Sequence, residues 1–242
     1  MKALLFAAGL GTRLRPLTLD RPKALVELQG KPLLGHALEY LQAQGVREVV
    51  VNVHHFAEQV MAYLAQHSPK GLRVHISDER DQVLETGGGL LKAAPLLRGE
   101  LPIVLYNVDV WTNLDLAALL TQHQRSGAVA TLAVRQRNSS RYLLFDEQGR
   151  LSGWRHQGAG EERLVRPAEQ YYPLAFSGVH VIEPALLDLI PQRGVFSIIE
   201  TYLSLAAEQH IQAYAHDADY WLDLGKPERL QQAEQLLQQQ NH

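Results

Sequence analysis

Residues 7 to 23 read AAGLGTRLRPLTLDRPK and follow directly on a short apolar run, Lys2 to Ala7. Gly9 and Gly11 free the backbone for positive φ and close approach, so that bare N–H groups can cradle an anion. Arg13, Arg15 and Lys23 add cationic heads, and an arginine fork grips phosphate oxygens in pairs. A tight turn needs none of that charge, so the chemistry of this loop is polyphosphate binding. It is not a dinucleotide fingerprint, because Leu14 stands where G-x-G-x-x-G requires its third glycine. It is not a Walker A loop either, since neither Gly30-Lys31 nor Gly225-Lys226 completes that pattern.

Reacting phosphates call for a divalent cation, and a hard-oxygen site needs carboxylates at strand ends. Asp109 follows the apolar run IVLYN, and Asp223 sits within Tyr220-Trp221-Leu222-Asp223-Leu224-Gly225. An ionised carboxylate in such surroundings is costly unless paired or metal-bound. Each has a plainer reading as well: Asp109 as the cap of the helix that follows, Asp223 as a strand end accepting backbone N–H bonds.

These residues need a frame, and the pattern supplies one. Apolar strand-like runs at Lys2–Ala7, Glu48–Val53, Leu72–Ser77 and Pro102–Tyr106 alternate with helical spacing from Pro32, over Glu58–Gln66, over Gly87–Leu97 and over Leu114–His123. That rhythm predicts an α/β fold, Rossmann-like, with a mostly parallel central sheet flanked by helices. VVVNV and IVLY are apolar on both faces, as covered strands should be. After about residue 134 the rhythm breaks into shorter strands (142–145, 151–155, 171–182, 220–224) and helices at 184–190, at 197–208 and at the C-terminus, predicting a smaller mixed α+β part. The division is therefore a core, 1–134, and a smaller closing part, 135–242, of one domain, 1–242.

The chain has 242 residues, 46% hydrophobic and 20% charged, with a formal net charge of -3, proportions ordinary for a globular protein. That balance gives no field for holding nucleic acid. With no cysteine, a disulfide framework, a thiolate zinc site and a Cys nucleophile are excluded. The run Ala3–Leu10 is too short to span a bilayer, and a cytoplasmic enzyme, monomer or homodimer, with no membrane or nucleic-acid partner, is expected.

The opening string, Phe6-Ala7-Ala8-Gly9-Leu10-Gly11-Thr12-Arg13-Leu14-Arg15-Pro16-Leu17-Thr18 with Pro22-Lys23, resembles the signature of the sugar-1-phosphate nucleotidyltransferases. Further segments match in the family's order: Leu84-Glu85-Thr86-Gly87-Gly88-Gly89, Asn107-x-Asp109-x-Trp111-Thr112, Phe176-x-Gly178 and Trp221-x-Asp223-x-Gly225. The resemblance is to the short N-acetylmuramate 1-phosphate uridylyltransferase and mannose-1-phosphate guanylyltransferase types. It implies a reaction in which an NTP and a sugar 1-phosphate give an NDP-sugar and pyrophosphate. By the same resemblance Ala8, Gly9, Gly11, Thr12, Arg13, Lys23, Glu85, Gly87, Gly88 and Asn107 meet the nucleotide, with Arg13, Lys23 and Asp109 catalytic. Asp109 and Asp223 hold Mg²⁺, and Gly178 lines the sugar pocket.

The chain departs from the family in two places. Val108 stands where a Gly commonly precedes the first Asp, and the usual Glu-Lys pair of the sugar site is missing near Trp154-Arg155-His156-Gln157. Arg155 is read instead as meeting an acidic sugar substituent such as the lactyl carboxylate of N-acetylmuramate, or else as a solvated strand-edge residue. UTP with N-acetylmuramate 1-phosphate is the favoured pair; mannose-1-phosphate guanylyl transfer, choline-phosphate cytidylyl transfer and a non-catalytic nucleotide-sugar sensor are the alternatives. A phosphate monoester is already ionised at pH 7, so none of the 11 histidines receives a catalytic role. Adjacent His54 and His55 point to opposite faces of an extended chain and do not chelate one ion. The glutamines Gln231, Gln232, Gln235 and Gln238 to Gln240 line the outside of the last helix.

Overall fold

Residues 1–240 are described by a computed structural model; among the tail glutamines, the side chains of Gln239 and Gln240 lie outside the described residues. The chain opens with β1 (Lys2–Phe6), two short 3-10 turns at Thr12–Leu14 and Lys23–Leu25, and the small pair β2 (Glu27–Leu28) and β3 (Lys31–Pro32). There follow α1 (Leu33–Ala43), β4 (Glu48–Val53), α2 (Ala57–His67), β5 (Arg73–Asp78), α3 (Glu85–Leu97), β6 (Ile103–Asn107), β7 (Val110–Thr112) and α4 (Leu116–Ser126). The rest comprises β8 (Ala130–Arg135), β9 (Arg141–Phe145), β10 (Leu151–His156), β11 (Glu161–Leu164), β12 (Tyr172–Ile182), α5 (Leu186–Leu189), α6 (Ile198–Leu205), β13 (Ile211–Ala215), β14 (Trp221–Asp223) and α7 (Pro227–Gln240).

The fold is α/β with a central, largely parallel sheet flanked by helices. Its order is β5-β4-β1-β6-β12-β9-β10-β11, with β8 on the other part of β12 and β13 beside β8. β5, β4, β1 and β6 are all parallel; β12 then runs antiparallel to β6, and the antiparallel part begins there. Side chains alternate across the sheet with period two. Ala3 and Leu5 of β1 and Val49, Val51 and Val53 of β4 enter one core, while Leu4, Phe6 and Val50 enter the core on the other face. That double burial is why these strands read as unbroken apolar runs.

Register sets the site. Phe6 pairs with Asn52 on one side and Asn107 on the other, so the carboxyl ends of β1, β4 and β6 finish level, where ligands of open α/β sheets bind. A third, smaller core holds Leu14, Val26, Leu28, Leu33, Leu222, Leu224, Leu230 and Ala233. It ties the glycine loop to β14 and α7, and a buried leucine such as Leu14 contributes roughly 1.5–3 kcal/mol. Leu14 therefore anchors the loop at the position where a dinucleotide fold would place glycine. Among the described residues no helix is long and apolar enough to cross a membrane.

Candidate active site

The glycine loop leaves β1 with its two glycines doing different work. Gly11 has φ 63°, and a Cβ there would lie 2.9 Å from Lys23 Cβ and 3.0 Å from Thr18 Cγ2, so only glycine lets the loop close on Lys23. The Thr18 hydroxyl donates to the Gly11 carbonyl at 2.9 Å and locks that closure. Gly9 does not adopt positive φ; it has open space where a Cβ would go, which leaves its backbone exposed on a cavity wall.

That cavity, of 380 Å³, runs along the strand ends past Ala7, Ala8, Asn52, Glu79, Asn107 and Asp109. Asn52 organises its floor. Its side-chain oxygen accepts from the Ala7 N–H at 2.6 Å and the Ala8 N–H at 3.2 Å, and its amide donates to Glu79 Oε1 at 2.8 Å. Ala8 thus spends its amide inside the protein. The Glu79 residue is buried, its Oε2 has no partner, and burial pushes its carboxyl above the usual range. Neither Asn52 nor Glu79 was among the residues singled out above. The signals were a lone amide in an otherwise all-valine run, VVVNV, and an acid directly after β5.

At the far end the charges meet. Pairing of β14 with β7 sets Asp223 opposite Val110, and the Leu224 N–H donates to the Asp109 carbonyl at 2.8 Å, so the two acids come together. The Lys23 ammonium donates to Asp109 Oδ2, and Arg13 Nη2 lies 3.8 Å from Asp223 Oδ2. A Cβ on Gly225 would fall 2.7 Å from Arg13 Nη2, 2.7 Å from Asp223 Oδ1 and 3.2 Å from Lys23 Nζ. Gly225 is therefore where Arg13, Asp223 and Lys23 converge, with Asp109 bound to Lys23. Burial alone would raise the Asp109 carboxyl, but Lys23 beside it holds it below the usual carboxylate range. Burial and the charge of Asp109 push Asp223 up.

The helix-cap reading of Asp109 does not hold, because Asp115 caps α4 by accepting from the Ala117 and Ala118 N–H groups. Asp223 does accept a backbone bond, from the Gly225 N–H at 2.8 Å, through only one of its oxygens. Two adjoining hard-oxygen carboxylates suit a divalent cation of the magnesium kind, which takes one or two protein carboxylates and completes its shell with substrate phosphates and water. Among the described residues no group of three or more His, Cys, Asp or Glu forms an all-protein metal cage.

The remaining candidates divide. Glu85 and Thr86 line the cavity, and Asn107 lines it with its amide held where Gly178 leaves room. Gly178 has φ 75° at an irregularity in the β12–β8 register, and a Cβ there would be 2.8 Å from Asn107 Nδ2. Exposed Thr12 begins the 3-10 turn that ends on buried Leu14. Gly87 and Gly88, which the resemblance assigns to the nucleotide, have the space beside their Cα atoms filled by the protein itself. Their missing side chains make room for Phe196, 2.2 Å from a Gly87 Cβ, and for the Gly194 carbonyl, 2.2 Å from a Gly88 Cβ. Both amides donate to the Phe196 carbonyl.

Arg155 is also displaced from its expected place. On β10 it points to the face opposite Trp154, pairs with Glu162 at 2.5 Å, and lines a cleft of 1060 Å³ together with Arg137 and Tyr142. Strand alternation, together with a register shift between Leu151 and Gly153, puts it there. His54 and His55 diverge as expected: His54 Nδ1 bonds the Glu79 carbonyl at 2.7 Å, and His55 packs on Phe56.

Backbone amides and two cations facing two acids at the carboxyl end of a parallel sheet make a site for phosphoryl chemistry on a nucleotide. The chain belongs to the nucleotidyl transferase family, whose sequence profile matches residues 2–240, and it is a nucleotidyltransferase. It is 39% identical to the N-acetylmuramate alpha-1-phosphate uridylyltransferase of Caulobacter vibrioides, over 97% of this chain and 96% of that protein. It is 33% identical to the mannose-1-phosphate guanyltransferase of Yarrowia lipolytica, over 94% of this chain and 61% of that longer protein. The structure of HddC from Yersinia pseudotuberculosis shares the fold at TM-score 0.77 and 20% identity, covering 98% of this chain and 99% of that one.

Proposed function

We propose that this protein joins UTP and N-acetylmuramate 1-phosphate into a UDP-sugar with release of pyrophosphate, in a Mg²⁺-dependent reaction. The observation that carries the reading is the meeting of Arg13, Lys23, Asp109 and Asp223 around Gly225, at one end of a cavity walled by Ala7 to Gly9. In this reading Gly9, Gly11 and Thr12 hold the triphosphate. Arg13 and Lys23 offset charge on the leaving pyrophosphate and the reacting centre. Asp109 and Asp223 would hold the divalent cation, which when bound supplies Lewis-acid neutralisation of phosphate oxygens. The sugar phosphate oxygen attacks the α-phosphorus in line, already ionised and needing no base, so the protein's task is to position and neutralise. Residues 1–134 serve the nucleotide, and 135–242 serve the sugar and close the site.

Identity to the Caulobacter vibrioides enzyme over nearly the whole chain supports the muramate substrate, and the Yarrowia lipolytica relative supports GTP with mannose 1-phosphate as the second reading. The test is pyrophosphate release with Mg²⁺ across four NTPs and the 1-phosphates of N-acetylmuramate, mannose and glucose. UTP with N-acetylmuramate 1-phosphate is expected to be fastest. Fastest release from GTP and mannose 1-phosphate selects the second reading, and no release from any pair removes both.

A further inference from the structure

Beside the nucleotide cavity lies a second one, of 450 Å³, and Ser197 lines both. Its walls include three aromatic side chains, Tyr142, Trp154 and Phe176, and two arginines, Arg137 and Arg141. Aromatic surface with a few placed polar groups is how proteins hold a small polar ring. The charges make this cavity unusual. Its one lining carboxylate, Glu200, is engaged by Arg163 at 2.9 Å. Two cations therefore face a cavity whose only acid is already paired.

The arginines are held differently. Arg137 is half-buried and fixed: its Nη2 donates to the Phe176 carbonyl at 3.0 Å, and its guanidinium lies 4.5 Å over the Trp221 ring. Its Nε–H is buried without a partner, and burial lowers its hold on its proton although Asp223 lies close enough to oppose that. Arg141 is exposed, and among the described residues its guanidinium has no carboxylate within salt-bridge distance. Apart from its 1-phosphate, which must reach the reacting centre at Asp109 and Asp223, a neutral sugar would give neither cation a counter-charge. A sugar carrying a carboxylate would, and a guanidinium fork matches a carboxylate in paired hydrogen bonds.

We infer that this cavity is the acceptor-sugar subsite and that Arg141, backed by the fixed charge of Arg137, selects a sugar 1-phosphate bearing a carboxylate on its ring. This rests on the nucleotidyl-transfer reading proposed above and adds to it the residues that decide the acceptor. It also moves the acidic-substituent role from Arg155, on the far face of β10, to a residue that borders the right cavity. N-acetylmuramate 1-phosphate and N-acetylglucosamine 1-phosphate differ by one lactyl ether, so they isolate the carboxylate.

The experiment measures kcat/KM for both sugar phosphates with UTP and Mg²⁺, in the full-length wild type, Arg141→Gln and Arg141→Lys. The wild type should favour the muramate substrate, and Arg141→Gln should shrink that preference by about tenfold or more, the worth of a hydrogen-bonded charge pair. The loss should fall mainly in KM, and Arg141→Lys should recover part of the preference. Equal losses on both substrates in Arg141→Gln would overturn the inference, as would a wild type that shows no preference for the carboxylate. In both those cases pyrophosphate release continues and the nucleotidyl-transfer reading stands. Release from neither sugar phosphate with any NTP would instead remove that reading, and the inference with it.

Discussion

Lys23 donates to the carboxylate of Asp109 across 86 residues of sequence. The contact joins the end of the glycine loop to the residues just after β6, and Gly225, just past β14, lies against Lys23, Arg13 and Asp223. Without substrates the acids and the cations of the site neutralise one another. The same four side chains are thereby held at one point for a polyphosphate and its counter-ion.

Replacing either acid should therefore affect rate more than fold. Asp109→Asn and Asp223→Asn are each expected to cut turnover by at least about a hundredfold, given the charge stabilisation a metal provides. Chelation of divalent cations should do the same to the wild type. Pyrophosphate release, followed beside the far-ultraviolet circular dichroism melt, checks this. A near-normal rate in either variant would take that residue out of the metal site.

The two loop glycines should respond in opposite ways. Gly11→Ala puts a Cβ at φ 63° against Lys23 and Thr18. Such backbone strain costs about 1–2 kcal/mol, and the displaced Lys23 should lower kcat/KM by about tenfold or more. Gly9→Ala meets nothing within 4 Å, so its melting temperature should match the wild type while the KM for NTP rises. A Gly11→Ala protein with unchanged stability would show that the loop does not need its left-handed residue.

How much of this was legible beforehand follows from where the information lies. The glycine loop could be read because its chemistry is local: two glycines and four basic residues within 15 positions. Asp109 and Asp223 could be read because charge in an apolar run is conspicuous, although their meeting depends on the β7–β14 pairing, which no local pattern specifies. Arg155 takes the solvated one of its two readings, paired with Glu162, because its face depends on strand parity and the irregularity between Leu151 and Gly153 resets that parity. The resemblance assigns Gly87 and Gly88 to the nucleotide, but Phe196 and Gly194, more than a hundred residues later, fill the space they leave. The strand β13 went unread, since IQAYA is short and its partner β8 lies far back in the chain.

Asn52 carries a prediction of its own. It satisfies the Ala7 and Ala8 amides and Glu79 Oε1 together, in a buried setting. Asn52→Ala leaves three polar groups without that partner, at about 1–3 kcal/mol each. A loss of about 3 kcal/mol or more in urea unfolding is expected, together with weaker nucleotide binding as the loop loses its tether. A loss below about 1 kcal/mol would mean that water replaces the side chain and that the loop is held elsewhere.

The last prediction concerns acid. His180 is buried between Phe6 and Phe176, which border the cavities of 380 Å³ and 450 Å³ respectively, and it hydrogen-bonds the Tyr202 hydroxyl at 2.5 Å. Burial holds its imidazole down to about 3. In the unfolded chain the same group takes its proton near pH ~6.5. The folded value is depressed, so its contribution is fully present above ~6.5 and is lost as pH falls toward 3, by about 1.4 kcal/mol per pH unit. Between pH 7 and pH 5 that amounts to about 2 kcal/mol. His180→Gln offers the tyrosine a partner that does not titrate, and it should lose about 2 kcal/mol less over that interval than the wild type. His123 and His216, also held down by burial, titrate in both proteins and cancel in the comparison. Urea unfolding at pH 7 and pH 5 reads the difference, and parallel losses in the two proteins would show that His180 accepts its proton without leaving the core.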